Sequence, residues 1–333
     1  ELGLTGYQTL REDEDADTLP VLEGDALWQR RIVLPGAGGI ATATLAGHAH
    51  RRPSDTDGAG RDVARLGARL DWRRDWVAPA GVLLGAAARL RFDHVDVAQD
   101  SAFPDPVTEV TPAVAVSARW PWMRHGAATH VIAPAIRLAW SPAEGADRPV
   151  DQSTDPEFDE GNLFAFTRYP AGDAVERGLR ASLGLSYTRH DPTGWSMGLT
   201  LGRILRQSGT GLAGHDGLDD PDSDWLAALD LALPDRLTLS SRTLFDDAWD
   251  VSRNETRFGW TGAEMALGGS YVWLQESESE ARPDAVGELS LDGSWQVDPN
   301  WRASMDWRYN IAWERTASTR LEVEYRTECL RLA

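Results

Sequence analysis

Trp301-Arg302-Ala303-Ser304-Met305-Asp306-Trp307-Arg308-Tyr309-Asn310-Ile311-Ala312-Trp313 alternates without a break. Trp301, Ala303, Met305, Trp307, Tyr309, Ile311 and Trp313 fall on one side of an extended chain, and Arg302, Ser304, Asp306, Arg308, Asn310 and Ala312 on the other. Successive strand side chains point to opposite faces, so one face is compatible with lipid and the other with water. Trp stands at both ends of the apolar row, and the row is about long enough to cross a bilayer at a tilt.

The same reading extends outward along the chain. Leu179, Ala181, Leu183, Leu185 and Tyr187 oppose Arg180, Ser182, Gly184, Ser186 and Thr188, and Leu289, Leu291, Trp295 and Val297 oppose Glu288, Ser290, Asp292, Ser294 and Gln296. Helical periodicity fits these runs poorly, and their interior glycines would weaken a helix. Long joins near 11–25, 53–60, 98–107, 141–175, 207–224, 247–251, 276–284 and 314–318 alternate with tight ones such as Pro35-Gly36, His125-Gly126 and Asp298-Pro299-Asn300. About sixteen strands are expected, with 1–10, 24–34 and 250–261 the weakest. A meander with this long-short alternation predicts an all-β fold, an antiparallel transmembrane outer-membrane β-barrel. A soluble sandwich would need a core between layers, whereas here the second face is repeatedly charged.

Composition agrees. The 333 residues carry 52 acids against 33 Lys and Arg, a net charge of −19, which speaks against nucleic acid as a partner. No run of eighteen apolar residues occurs, and the mean hydropathy is −0.39. Neither fact opposes a barrel, in which only alternate residues meet lipid. Trp is abundant at 15, against 7 Phe and 6 Tyr, as suits the headgroup level. Neither a charged n-region nor an apolar h-region opens the chain, and both ends fall mid-pattern, so a fragment of a longer exported protein is expected.

Motifs for catalysis fail on context. Gly194-Trp195-Ser196-Met197-Gly198 matches a nucleophile elbow, but it lies at a hairpin turn running into a strand rather than a helix. His48 and His50 share a strand face, yet no third ligand is identifiable nearby, and they read as two rim histidines rather than a metal site. Asp55-Thr56-Asp57-Gly58 reads as a turn. No catalytic residue, cofactor or metal is expected.

Several elements carry a resemblance: Val131-Ile132-Ala133-Pro134, Leu138-Ala139-Trp140, Asp151-Gln152-Ser153, Phe158-Asp159-Glu160-Gly161-Asn162-Leu163-Phe164, Arg168-Tyr169, Gly172-Asp173 and Glu176-Arg177-Gly178. With Tyr325-Arg326-Thr327-Glu328-Cys329 near the end, and Gly6-Tyr7-Gln8-Thr9-Leu10 near the start, they follow the order found in the LPS-assembly family LptD (organic solvent tolerance proteins), which this chain resembles. The resemblance implies a barrel of about twenty-six strands behind a periplasmic jelly roll. Such a protein takes lipopolysaccharide from a periplasmic bridge and inserts it into the outer leaflet, with an LptE-like lipoprotein plugging the lumen. Residues 1–333 would then be a partial barrel domain without the N-terminal jelly roll and the terminal gate strands, integral to the bacterial outer membrane and in contact with its lipid.

Two positions follow from the phase of the joins. With the long joins outside, Cys329 falls on the periplasmic side, and the resemblance implies an interdomain disulfide to an N-terminal cysteine. The 141–175 loop falls outside and is too long for a plain connector. Its Asp151, Gln152, Ser153, Phe158, Asp159, Asn162, Leu163, Phe164, Arg168 and Tyr169 are expected to fold back onto the lumen wall or the plug. The alternative reading, a general sixteen-stranded porin, has no need for Cys329 or for this loop.

Overall fold

The computed structural model describes all residues except 11–14, 208, 211, 213, 216, 220, 235, 279, 281, 328–330 and 333. Cys329 therefore lies outside the described residues. No α-helix occurs among those described. The strands are β1 (Leu2–Gly6), β2 (Leu22–Val33), β3 (Ile40–Arg51), β4 (Asp62–Val77), β5 (Leu83–Ala98), β6 (Val107–Arg119), β7 (Trp122–His125), β8 (Thr129–Ser141) and β9 (Gly178–His190). Then come β10 (Ser196–Arg206), β11 (Trp225–Leu233), β12 (Leu237–Phe245), β13 (Val251–Thr261), β14 (Met265–Leu274), β15 (Val286–Gln296), β16 (Trp301–Asn310), β17 (Arg315–Arg326) and β18 (Arg331–Leu332).

Eighteen strands are present among the described residues, where about sixteen were expected. The additions are the short β7, set off from β6 by Trp120 and Pro121, and the two-residue β18. The opening stretch also differs in extent. Its strand stops at Asn310, because Asn310 Oδ1 accepts the Trp313 amide (2.9 Å) and Glu314 sits at φ 47°. An Asn side chain that closes a turn onto its own backbone competes with strand continuation. The join there is thus 311–314, four residues earlier than 314–318 places its end.

Two compact units divide the chain. The first comprises residues 1–118, 137–157 and 166–180; the second comprises 119–136, 158–165 and 181–333. In the first, β1 through β5 pair antiparallel with their sequence neighbours. The β2–β3 turn needs Gly39, whose φ is 81° and whose added Cβ would strike the Arg73 backbone. In the second unit, β10 through β18 pair in the same neighbour-to-neighbour way, and β7 pairs with β8.

Burial is inverted relative to a water-soluble protein. On β4 and β6 the aliphatic residues face out, with Leu66 58% and Val116 57% exposed, whereas Asp93 on β5 is only 2% exposed. In the second unit Leu199, Leu201, Leu267, Met305, Leu321 and Val323 are likewise exposed, while Arg206 and Ser182 are buried. Exposed large apolar side chains at every second position are stable only against an apolar solvent.

Candidate functional site: the loop on the charged face

Residues 142–177 join β8 to β9, and Arg148, Ser153, Phe158, Leu163, Arg168, Asp173 and Glu176 are buried, while 143–147 stand exposed. In the first unit, the face opposite the exposed aliphatics holds a lattice of Arg65, Arg69 and Asp71 from β4 and Arg89, Arg91 and Asp93 from β5. Arg89 Nε donates to Asp71 (2.6 Å) and Arg91 Nε to Asp93 (2.5 Å). Onto this lattice the loop lays Arg148, 3.3 Å from Asp93, and Arg177, 2.9 Å from Glu109 of β6.

Asp173 organises the loop. Its Oδ2 accepts the backbone amides of Asp151 (2.9 Å), Gln152 (2.6 Å) and Ser153 (3.1 Å), and its Oδ1 accepts the Ser153 hydroxyl (2.5 Å). Burial pushes the Asp173 carboxyl up, but these hydrogen bonds and nearby Arg65 override it and hold the group below its ordinary range. The run Asp151-Gln152-Ser153 and the pair Gly172-Asp173 are therefore one structural unit. Arg91 fixes the same corner by donating to the Gly172 carbonyl. Outside it, Asp151 pairs with Arg61 (2.8 Å) and Gln152 accepts from Arg65 (3.1 Å).

Arg168 and Glu176 form a fully buried pair: the Arg168 guanidinium donates to both Glu176 oxygens, and the Arg168 amide reaches Oε1 at 3.1 Å. Arg180 of β9 lies 3.5 Å from the same carboxylate, and Ser141 Oγ donates to the Glu176 carbonyl (3.0 Å). Phe166 lies between two cations, its ring centroid 4.8 Å from the Arg89 guanidinium and 4.6 Å from that of Arg137. Tyr169 follows as a half-buried residue whose amide donates to Thr167 Oγ1.

Residues 158–165 belong to the second unit. Asp159 and Asn162 cap one another, the Asn162 amide donating to Asp159 Oδ1 (2.8 Å) and the Asp159 amide to Asn162 Oδ1 (3.2 Å). That single turn presents Leu163 and Phe164 to the sheet, and Phe158 just before it is buried as well. Leu163 is completely buried against Gly202 of β10, and Phe164 lies against Gly184 of β9. A Cβ on Gly184 would come within 2.7 Å of the Phe164 ring, so the two strand glycines are the seats of these side chains. Glu160 completes the anchor by pairing with Arg242 of β12, whose Nε stands 2.7 Å from Oε2; that hydrogen bond holds the Glu160 carboxyl below its ordinary range.

The ten loop residues singled out from the sequence thus divide between the units: Asp151, Gln152, Ser153, Arg168 and Tyr169 in the first, Phe158, Asp159, Asn162, Leu163 and Phe164 in the second. Sequence reasoning passed over Gly184, Gly202, Glu160 and Arg242 as site residues, and treated Asp173 and Glu176 only as motif members. Arg65, Arg69 and Asp71, with Arg89, Arg91 and Asp93, all falling on one parity of their strands, were the signal for the receiving face.

An antiparallel chain that exposes aliphatic residues and encloses charge is an integral outer-membrane β-barrel protein. A family model described as LptD, LPS transport system D, matches residues 2–301, and the chain belongs to that family. The family is one of transport and assembly rather than catalysis. None of the curated proteins compared with the chain matches it. Among solved structures, the chain is similar to the FrpB iron transporter of Neisseria meningitidis (F5-1 variant), with 11% identity, a TM-score of 0.43, and coverage of 92% of this chain. It spans 58% of that transporter's length. A triple mutant of the Rhodopseudomonas blastica porin is also similar, with 9% identity, a TM-score of 0.25, and coverage of 79% of this chain and 91% of the porin.

Proposed function

We propose that the chain is part of an outer-membrane translocon that inserts lipopolysaccharide into the outer leaflet, without enzymatic chemistry. The family match over residues 2–301 carries this reading. The charged inner face supports it, since a phosphorylated saccharide headgroup needs a hydrated, ion-bearing wall while its acyl chains need lipid. In this reading residues 1–333 form part of a larger barrel that a periplasmic jelly roll feeds from a lipopolysaccharide bridge. The long joins face outward, Cys329 is periplasmic, and it bonds to a cysteine of that N-terminal domain. The ordered loop 142–177 supplies a fixed surface for an LptE-like lipoprotein in the lumen.

Proteoliposomes test the transport step. Vesicles carrying the full-length protein with its lipoprotein partner should accept lipopolysaccharide from an energised bridge; acceptance by vesicles lacking the protein would contradict the reading. Steady single-channel conductance from trimers of the isolated protein would favour a porin instead. For Cys329, non-reducing electrophoresis of the full-length protein should show a mobility change on reduction, and an unchanged band removes the disulfide. Photocrosslinkers at Phe164 or Tyr169 should reach the lipoprotein; crosslinks confined to the chain itself would leave the loop a self-packed element.

A further inference from the structure

The β2–β3 ladder supplies what His48 and His50 lack in the sequence. Glu23 stands directly across from His50, and Asp25 from His48. Opposed residues share a face, as do residues two apart, so two carboxylates and two imidazoles meet on the charged side. His48 Nδ1 is 2.9 Å from Asp25 Oδ1 and 3.7 Å from Glu23 Oε1, and the three ligand atoms lie within 4.8 Å of one another. Ligand atoms around a tetrahedral ion, each about 2.0–2.2 Å from it, stand roughly 3.3–3.6 Å apart. Small side-chain adjustments bring this trio to that spacing.

Hydrogen bonding alone does not close around His48. Gln152 Nε2 approaches the same Nδ1 to 3.1 Å and Glu23 Oε1 to 3.5 Å. A neutral imidazole carries one proton. On Nδ1 it satisfies Asp25 but meets the Gln152 amide donor to donor. On Nε2 it satisfies Gln152 and leaves carboxylate oxygen facing a lone pair. Turning the Gln152 amide over does not help, because its Oε1 already accepts from Arg65 at 3.1 Å. A divalent cation resolves the conflict by accepting the Nδ1 lone pair and balancing both carboxylates.

His50 is the independent mark. It is 8% exposed, its ring meets the Arg61 backbone, and its Nε2 has no side-chain partner among the described residues. Its Nδ1 lies 3.4 Å from His48 Nε2, placed to receive the proton that a metal on Nδ1 leaves there. A ligating histidine commonly donates its second ring nitrogen to such a neighbour.

We propose that Glu23, Asp25 and His48 bind a divalent transition-metal ion of the zinc class, with His50 orienting His48. Imidazole with two carboxylates suits zinc better than calcium or magnesium, and the fourth position is left to water. Gln152 gives up its contact with Nδ1 when the ion enters, so occupancy is coupled to the loop that Asp173 holds. The site is independent of whether the protein moves lipopolysaccharide.

The full-length protein in detergent, titrated with zinc against a chromophoric chelator, tests this. One ion should bind per chain. The isosteric Glu23→Gln and Asp25→Asn, and the shorter His48→Ala, should each weaken binding about 10-fold or more, and His50→Ala about 10-fold. Gln152→Ala should tighten it. The absorption of bound cobalt should be lost in Glu23→Gln, a variant that leaves the β2–β3 ladder intact. Absence of saturable zinc binding in the wild type, or equal affinity in Glu23→Gln and Asp25→Asn, overturns the site.

Discussion

Asp173 shows how much one carboxylate can organise when backbone amides surround it. Three amides and one hydroxyl converge on it, and bonds to a charged acceptor are the stronger kind. Asp173→Asn keeps the volume but removes the charge and places an amide donor among donors. It should destabilise the loop by about 2 kcal/mol, read as faster proteolysis within 142–177. Because the folded-state pKa lies below the unfolded one, the contribution is complete above the usual carboxylate range of about 3.9. It disappears as the pH falls through the folded value, so acid should loosen the wild-type loop and leave Asp173→Asn little changed. Glu176→Gln strands the buried Arg168 guanidinium and should cost about 3–5 kcal/mol, measured as a fall in the denaturant midpoint in detergent.

Among the elements, the strands were legible and the seats of the loop were not. Period-two alternation and turn chemistry are local, so β9, β15 and β16 stand out in the sequence. The end of β16 was misplaced because Ile311 and Trp313 continue the alternation, while the stop signal is one Asn side chain folding onto its own backbone. The seats of the loop were invisible for another reason. Gly184 and Gly202 read only as small residues opposite the apolar rows, and their purpose depends on Leu163 and Phe164 returning from the preceding loop. Likewise, Glu23 and Asp25 meet His48 and His50 only through the hairpin register, and a one-residue slip would send one pair to the opposite face. Gly202→Val should displace Leu163 and cost about 1–3 kcal/mol, with crosslinking or protease cleavage near residue 163 reporting the displacement. Gly198→Val, whose added Cβ makes only an ordinary 3.9 Å contact, is the matching control.

For the whole molecule, the two solvents decide the arrangement. The open face is aliphatic with Trp at strand ends, including Trp76, Trp140, Trp295 and Trp301, while the other face holds ion pairs. Leu70, mid-strand on β4 and half exposed, should tolerate Arg in no bilayer: Leu70→Arg should cost about 2–4 kcal/mol of folding stability in lipid vesicles. Arg placed instead at Ser117, on the charged face of β6, should cost far less. The general barrel character and its outer-membrane setting follow from alternation and family membership together, whereas the proposed cargo and partners rest on membership alone. Depletion of the protein in living cells therefore tests the central claim most directly. Newly made lipopolysaccharide should stop reaching the cell surface and accumulate internally while other outer-membrane proteins still assemble. Surface lipopolysaccharide that continues to appear at the normal rate after depletion would contradict the account.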